Sequence, residues 1–338
     1  MEQAATILAI ETSCDETAAA IVSGGVEIRA NIIASQIATH RCFGGVVPEI
    51  ASRRHMENIV PVVDEALAAA GLEFTAMDAV AVTYGPGLAG ALLVGLSYAK
   101  SLAYALDKPL IGVHHVLGHI YAGFLQYPQL PLPAVCLVVS GGHTDLIYLE
   151  SHSCRRILGS TRDDAAGEAF DKVARVLGLP YPGGPELEKL ARDGDPSAIR
   201  FPRAWLEEGS LDFSFSGLKS AVINHLHHAR QKGTSVNHAD VAAAFQAAVV
   251  EVLVTKTIQA AQRLAAGAIL LAGGVAANNV LRDALVTAGQ AAAIPVFCPA
   301  PVLCTDNAAM IAAAAYYQYQ RGEFAGLDLN AIPDLTLY

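Results

Sequence analysis

The chain opens twice in the same way, and this constrains its fold more than any other feature. Thr6-Ile-Leu-Ala-Ile10 is a short apolar strand, Glu11-Thr-Ser-Cys-Asp-Glu-Thr17 a polar turn, and Ala18-Ala-Ala-Ile-Val22 a second strand ending at Ser23-Gly-Gly25. Far downstream, Ala134-Val-Cys-Leu-Val-Val139, Ser140-Gly-Gly-His-Thr144 and Asp145-Leu-Ile-Tyr-Leu149 repeat strand, polar turn and strand. The two segments share little identity, so the match is one of topology, and it predicts an internal duplication. A length of 338 residues suits two lobes with sizeable cores better than one small domain. The Pro-rich connector Gln126 to Pro133 is the expected boundary between them.

Strands and helices alternate through the rest. Glu49 to Ala70 reads as a helix with Ile50, Ile59, Val60, Val63 and Leu67 on its apolar side, and Arg53, Arg54 and His55 form a small basic cluster near its start. The uncharged run Ala79 to Ala99 could span a bilayer on length alone. Tyr84-Gly-Pro-Gly87 interrupts it, so it divides into a buried strand and a helix from about Ala91 to Leu106, as in a soluble protein. Pro109 to Val113 is another strand. In the second half, Gly167 to Leu177, Leu187 to Arg192, a segment opened by Phe213 to Lys219, and Asp240 to about Leu264 read as helices. Ala268 to Ala272 and Val296 to Cys298 read as strands, and the final helix begins at Cys304-Thr-Asp306-Asn with Asp306 as a candidate N-cap. The expected lobes are residues 1–130, with the C-terminal helix of about 306–338 packing back on them, and 131–305, with helical insertions at about 163–235.

Two stretches point to chemistry. His114, His115 and His119 lie in one short segment without an acidic residue, at the C-terminal end of the Pro109 to Val113 strand, where open α/β sheets bind ligands. On a helix His115 and His119 share one face, the spacing at which two imidazoles reach one divalent metal. A histidine-rich surface helix gives the same spacing. Gly273-Gly-Val-Ala-Ala-Asn-Asn279 turns a strand directly into a helix, a geometry that admits a nucleotide because the backbone N–H groups face it; a plain tight turn reads the same. The net charge of −10 excludes a general polyanion binder, so any nucleic acid needs a local basic patch or a basic partner. The six cysteines lack a C-x-x-C pair and read as reduced thiols. Acids at Glu2 and Glu11, without a basic n-region, read as a chain with no signal peptide.

The alternation and the Gly-Gly helix start resemble the two-lobed actin, hexokinase and Hsp70 ATPase (ASKHA) α/β fold, with duplicated βββαβα-type lobes around a central cleft. Glu11-Thr-Ser-Cys-Asp-Glu-Thr17, His114-His-Val-Leu-Gly-His119, Val139-Ser-Gly-Gly-His-Thr144, Gly167-Glu-Ala-Phe-Asp171, Tyr181-Pro-Gly-Gly-Pro185, Phe213-Ser-Phe-Ser-Gly-Leu-Lys219 and Cys304-Thr-Asp-Asn307 together resemble one family, the bacterial TsaD (Gcp/YgjD) group of tRNA adenosine threonylcarbamoyltransferases. The resemblance implies a cytoplasmic enzyme that moves the threonylcarbamoyl group of threonylcarbamoyl-adenylate to N6 of the adenosine just 3′ of the anticodon, in tRNAs reading codons that begin with A. It implies one Fe(II) or Zn(II) held by His115, His119 and Asp306, in a cleft that also admits ATP or ADP. Val138, Val139, Ser140, Gly141 and Gly142 would line the phosphate and threonylcarbamoyl end, and Asp171, Gly184, Glu188 and Asn278 the ribose and adenine side. Asp15 and Glu16 are the candidates to position the amine or take its proton, with His143 as a possible donor to the substrate. Structural roles compete at several of these positions: turn capping at Asp15 and Glu16, and a solvated helix face at Asp171 and Glu188. The implied partners are tRNA, a TsaB-like paralogue, a TsaE-like P-loop ATPase and a threonylcarbamoyl-adenylate synthase.

Two other activities compete. A zinc peptidase, an old label for this family as an O-sialoglycoprotein endopeptidase, is chemically conceivable from a His pair and an Asp. However, Val116, Leu117 and Gly118 occupy the positions between the histidines, so there is no H-E-x-x-H with a glutamate base. An ASKHA-type ATPase or kinase would hold Mg(II) through carboxylates and phosphates, not a His pair.

Overall fold

The computed structural model describes residues 4–337. Glu2 and the outermost residues of the expected lobes lie outside them. The chain divides into two compact units, Met1–Leu130 with Pro299–Tyr338, and Pro131–Cys298.

In the first unit β1 (Thr6–Glu11), β2 (Glu16–Ser23), β3 (Glu27–Ser35), β4 (Ala79–Gly85) and β5 (Leu110–His114) form a sheet in the order β3-β2-β1-β4-β5. β2 runs antiparallel to both β1 and β3, whereas β1, β4 and β5 are mutually parallel. Ile7 to Ile10 and Ala79 to Val82 are fully buried because β1 and β4 are central strands with both faces covered. The strand β3 escapes the sequence reading. It is an edge strand, mostly half-exposed, and its polar start at Glu27-Ile-Arg29 lacks the apolar run that marks a buried strand. The helices are α1 (Ile37–His40), α2 (Pro48–Ala70), α3 (Ala89–Leu106) and α4 (His115–Gln126). Ile59, Val63 and Leu67 of α2 and Leu96 of α3 pack with Leu8, Ile10, Val80 and Val82 in one core.

In the second unit β6 (Ala134–Val139), β7 (Thr144–Leu149) and β8 (Arg155–Ser160) lead into α5 (Ala166–Val176), α6 (Gly183–Ala191), α7 (Ser216–Lys232) and α8 (His238–Arg263). Then come β9 (Ala268–Ala272), α9 (Asn279–Ala291) and β10 (Val296–Phe297). The order is β10-β9-β6-β7-β8, with β6/β7 and β7/β8 antiparallel and β6/β9 and β9/β10 parallel. Strand for strand and sense for sense this repeats the first sheet. The long helix α8 and the helix α3 are apolar enough to cross a membrane by length and composition, but 72% of the α8 window is buried as the core helix of its unit. The six cysteines are free thiols.

The chain then returns to the first unit through α10 (Pro301–Cys304) and α11 (Ala308–Gln320). The segment 299–305, expected in the second lobe, belongs here: Ala300 N–H donates to Gln126 Oε1 at 2.7 Å, tying it to the end of α4. The Ala-rich α11 buries Ala308 to Ala315 and packs closely on α4. A Cβ at Gly118 would sit 2.6 Å from Ile311 Cδ1, so any larger residue here would have to push that side chain aside, and glycine lets the two helices approach closely. That approach carries Asp306 to the histidines.

Candidate active site

The last residue of β5, His114, ends the strand and caps α4, its Nδ1 accepting from Val116 N–H at 3.2 Å. Its role is therefore structural. His115 and His119 follow one turn apart, both buried, with ring centroids 4.7 Å apart. Asp306 Oδ1 lies 3.2 Å from His119 Nε2 and 3.6 Å from His115 Nε2. The competing role for Asp306 falls away, because it is Asn307 whose side chain caps α11, accepting from Met310 N–H at 3.0 Å. Two ring nitrogens and one carboxylate oxygen thus lie within 4.8 Å of one another. Neither ring nitrogen of His119 makes a hydrogen bond although both are buried. A buried polar atom left without a partner is costly, and a cation between Nε2 and Asp306 Oδ1 would satisfy it. The donor set of two imidazoles and one carboxylate suits Zn(II) or Fe(II) and leaves coordination positions open. Without a cation, the Asp306 and Glu11 carboxylates outweigh burial and raise His115 to about 9.

Sequence reasoning passed over Glu11, which the structure places beside this cluster. It is fully buried at the end of β1, with Oε1 accepting from Ser13 N–H at 2.5 Å and Oε2 from Thr83 Oγ1 at 2.5 Å. His115 Nδ1 lies 3.2 Å from Glu11 Oε2 and 3.2 Å from Ser13 Oγ. The available signal was a lone acid closing an otherwise apolar central strand.

The β1–β2 turn carries the two candidate acids into the same unit. Asp15 is 6% exposed, and its Oδ2 is buried without a hydrogen-bond partner. Glu16 begins β2, and burial followed by the nearby carboxylates of Asp15 and Asp306 pushes it up to about 9. The turn is braced from α2 by His55, whose Nδ1 meets Thr17 Oγ1 at 2.8 Å and whose Nε2 meets the Cys14 carbonyl at 2.9 Å. His55 is therefore core, not part of a basic cluster with Arg53 and Arg54. Arg54 is in turn paired to Glu57 at 2.7 Å.

Burial lowers the His55 pKa below its ordinary 6.5. The unfolded chain then protonates first as pH falls, so stability held by neutral His55 is fully present above about 6.5 and is lost below it. Thermal melts of His55→Gln are expected to show a shallower loss of Tm than the parent between about pH 7 and about pH 5. Parallel curves would mean that His55 does not contribute to the acid limb.

The second unit holds a cavity of ≈ 260 Å³ lined by Gly141, Asp171, Gly184, Glu188 and Asn278, all sequence candidates. Gly274, Val275 and Ala277, from the turn that the sequence marked as admitting a nucleotide, also line it, as do Gly167, Phe170 and Pro185, which lie in the family motifs but were not named as site residues. Phe170 gives the apolar wall; its position on the amphipathic α5 was the available clue. The candidates Val138, Val139 and Ser140 are buried at the end of β6, and Gly142 and His143 lie in the β6–β7 turn; none of these lines the cavity. Asp171 Oδ1 accepts from the N–H groups of Gly183 (2.8 Å) and Gly184 (3.3 Å), so it fixes the start of α6 at the cavity wall. Glu188 is 9% exposed, and its Oε1 accepts from Asn279 Nδ2 at 2.8 Å and Asn279 N–H at 3.2 Å. A solvated helix face does not describe it. Asn278 caps α9, accepting from Leu281 N–H at 2.9 Å, while its Nδ2 donates to Gln246 Oε1 at 2.9 Å. Strand β9, the Gly273 turn and the start of α9 thus present backbone to a space of ligand size, with engaged side chains holding the walls still.

Two sheets of one topology, one bearing a His-His-Asp cluster and the other a cavity at a βα turn, define a two-lobed α/β protein of the ASKHA class. Solved structures agree on the fold. Full-length HypF in its phosphate- and nucleotide-bound form superposes with a TM-score of 0.64 at 14% identity, over 96% of this chain and 48% of that one. Component A of the Acidaminococcus fermentans (R)-2-hydroxyglutaryl-CoA dehydratase gives 0.54 at 19% identity, over 94% and 98%.

At the level of sequence, the family model described as TsaD: tRNA N6-adenosine threonylcarbamoyltransferase matches residues 27–313. Proteins of that description from Moorella thermoacetica (strain ATCC 39073) and Clostridium botulinum (strain 657) are 80% and 56% identical to this chain. The matches cover 98% of this chain and 97% of the Moorella protein, and 100% of this chain and 99% of the Clostridium protein. The chain belongs to the TsaD family.

Proposed function

We propose that the chain transfers the threonylcarbamoyl group of threonylcarbamoyl-adenylate to N6 of the adenosine 3′ of the anticodon, in tRNAs reading codons that begin with A. Family membership makes it a tRNA-modifying transferase, and the observation that carries the chemistry is the buried His115–His119–Asp306 cluster. Those three residues would hold one Fe(II) or Zn(II), which when bound polarises the carbamoyl carbonyl. N6 attacks the carbamoyl carbon, the new C–N bond forms, and the C–O bond to the phosphate breaks as AMP leaves. Asp15, with an unpartnered buried oxygen, is the acceptor for the N6 proton, and Glu16 beside it, pushed up to about 9, would position the amine. The cavity beside the Gly273 turn suits the ribose and adenine of the donor through Asp171, Gly184, Glu188 and Asn278, and ATP or ADP would fit the same space. The end of β6 and the turn after it, from Val138 to Gly142, would offer backbone groups to phosphate, and His143 a donor.

A peptidase is disfavoured because Val116, not a glutamate, follows His115 where H-E-x-x-H needs its general base.

Partners supply what this acidic chain lacks. Exposed Met56, Val60, Leu93 and Tyr104 on α2 and α3 would suit a TsaB-like paralogue, and tRNA phosphates call for cations that such a complex would add. A TsaE-like ATPase and a synthase that supplies the adenylate complete the set, in the cytoplasm.

The test is nucleoside mass spectrometry of tRNA incubated with the purified chain, these partners, threonine, bicarbonate and ATP. Threonylcarbamoyladenosine is expected in tRNAs for A-starting codons. Unmodified tRNA in the complete mixture would overturn the proposal.

A further inference from the structure

We infer that Glu11 is the positioning residue of the metal site: it sets the tautomer of His115 so that Nε2 faces the cation. This rests on the metal reading above. The two histidines are not equivalent. His119 makes no hydrogen bond from either ring nitrogen, whereas His115 Nδ1 sits 3.2 Å from Glu11 Oε2. A carboxylate can only accept, so Nδ1 keeps its hydrogen, and a metal on the Asp306 side would take the Nε2 lone pair by displacing the proton there. Ser13 Oγ, also at 3.2 Å, cannot impose that choice, since a hydroxyl donates or accepts as its neighbour requires.

Glu11 is itself held rigidly. Ser13 N–H fixes one oxygen, and Thr83 Oγ1 on the neighbouring strand β4 fixes the other. It is 0% exposed, so water cannot substitute for it. An outer carboxylate of this kind orients a ligating imidazole and raises its basicity, and its loss costs roughly 10–100-fold in metal affinity.

Glu11→Gln keeps the shape but puts an NH₂ where an acceptor was, or turns the amide oxygen to His115 and loses the bond to Ser13 N–H. With NH₂ facing Nδ1, the ring hydrogen moves to Nε2 and blocks the metal position. Zn(II) affinity, measured by competition with a chromophoric chelator on the full chain, is expected to fall by roughly 10–100-fold in Glu11→Gln and by less than about 3-fold in Ser13→Ala. The effect should be specific to one ring. Glu11→Gln is expected to weaken binding further in a His119→Ala background but to add nothing in a His115→Ala background.

Equal effects in both backgrounds would show a general loss of structure and overturn the inference, as would a Ser13→Ala loss equal to that of Glu11→Gln. If Glu11→Gln fails to fold, as judged by circular dichroism of the metal-free chain, Thr83→Val replaces it. That change frees the carboxylate from one anchor and is expected to give a smaller loss of the same His115-dependent kind; unchanged affinity would count against the inference. The metal reading fails separately, if His115→Ala, His119→Ala binds Zn(II) as tightly as the parent chain.

Discussion

The His115→Ala, His119→Ala double variant, assayed with all partners and substrates present, is expected to transfer no measurable threonylcarbamoyl group to tRNA. The two imidazoles supply both nitrogen ligands of the only three-ligand cluster among the described residues, and Asp306 alone cannot retain a cation against solvent. Lewis-acid polarisation of a carbonyl supplies several kcal/mol to a transition state, so its removal corresponds to about a 1,000-fold loss or more. The fold should survive. α4 is held to α11 through Gly118 and its apolar neighbours, and alanine is the best helix former at both positions. Elemental analysis should find the metal gone while circular dichroism stays unchanged. Transfer at a near-normal rate by a folded, metal-free double variant would remove the metal from the mechanism.

Gly273→Ala is expected to destabilise the second unit by roughly 3 kcal/mol, combining backbone strain with a steric clash. Gly273 has φ +88°, and a Cβ there would lie 2.4 Å from the Val139 carbonyl oxygen, a backbone atom held in β6 that cannot move aside. Gly178 makes the comparison. It has φ +77° but nothing within 4 Å of the added carbon, so Gly178→Ala should cost only the conformational penalty of about 1–2 kcal/mol. Trp205 is the single tryptophan and lies in the second unit, so urea unfolding followed by its fluorescence reads that unit directly. Equal midpoints for the two variants would mean that the turn at Gly273 can relax away from β6. Because the same turn leads to Gly274 and Val275 in the cavity wall, any relaxation should also weaken binding of the donor proposed to occupy it.

Two features that looked alike in sequence separated once folded. His114, His115 and His119 formed one cluster on paper, yet the first caps a helix and only the other two face Asp306. Asp306 was the candidate cap in the sequence, and the structure gives that task to its neighbour Asn307. Arg54 and His55 are adjacent but diverge, one to the surface and one into the β1–β2 turn, because successive helix positions point about 100° apart.

The sequence by itself determined the duplicated strand–turn–strand plan, the central strands and the one-turn spacing of the histidines. These are local: apolar runs, glycine and proline breaks and helical periodicity act over a few residues, so they can be read without knowing what packs where. Only the tertiary structure decided that edge strand β3 completes the first sheet, that residues 299–305 rejoin the first unit and that Glu11 lies against His115. Each of these depends on which distant surfaces meet, and the close packing of α11 on α4 that brings Asp306 to the histidines is set by volumes and contacts no local pattern encodes.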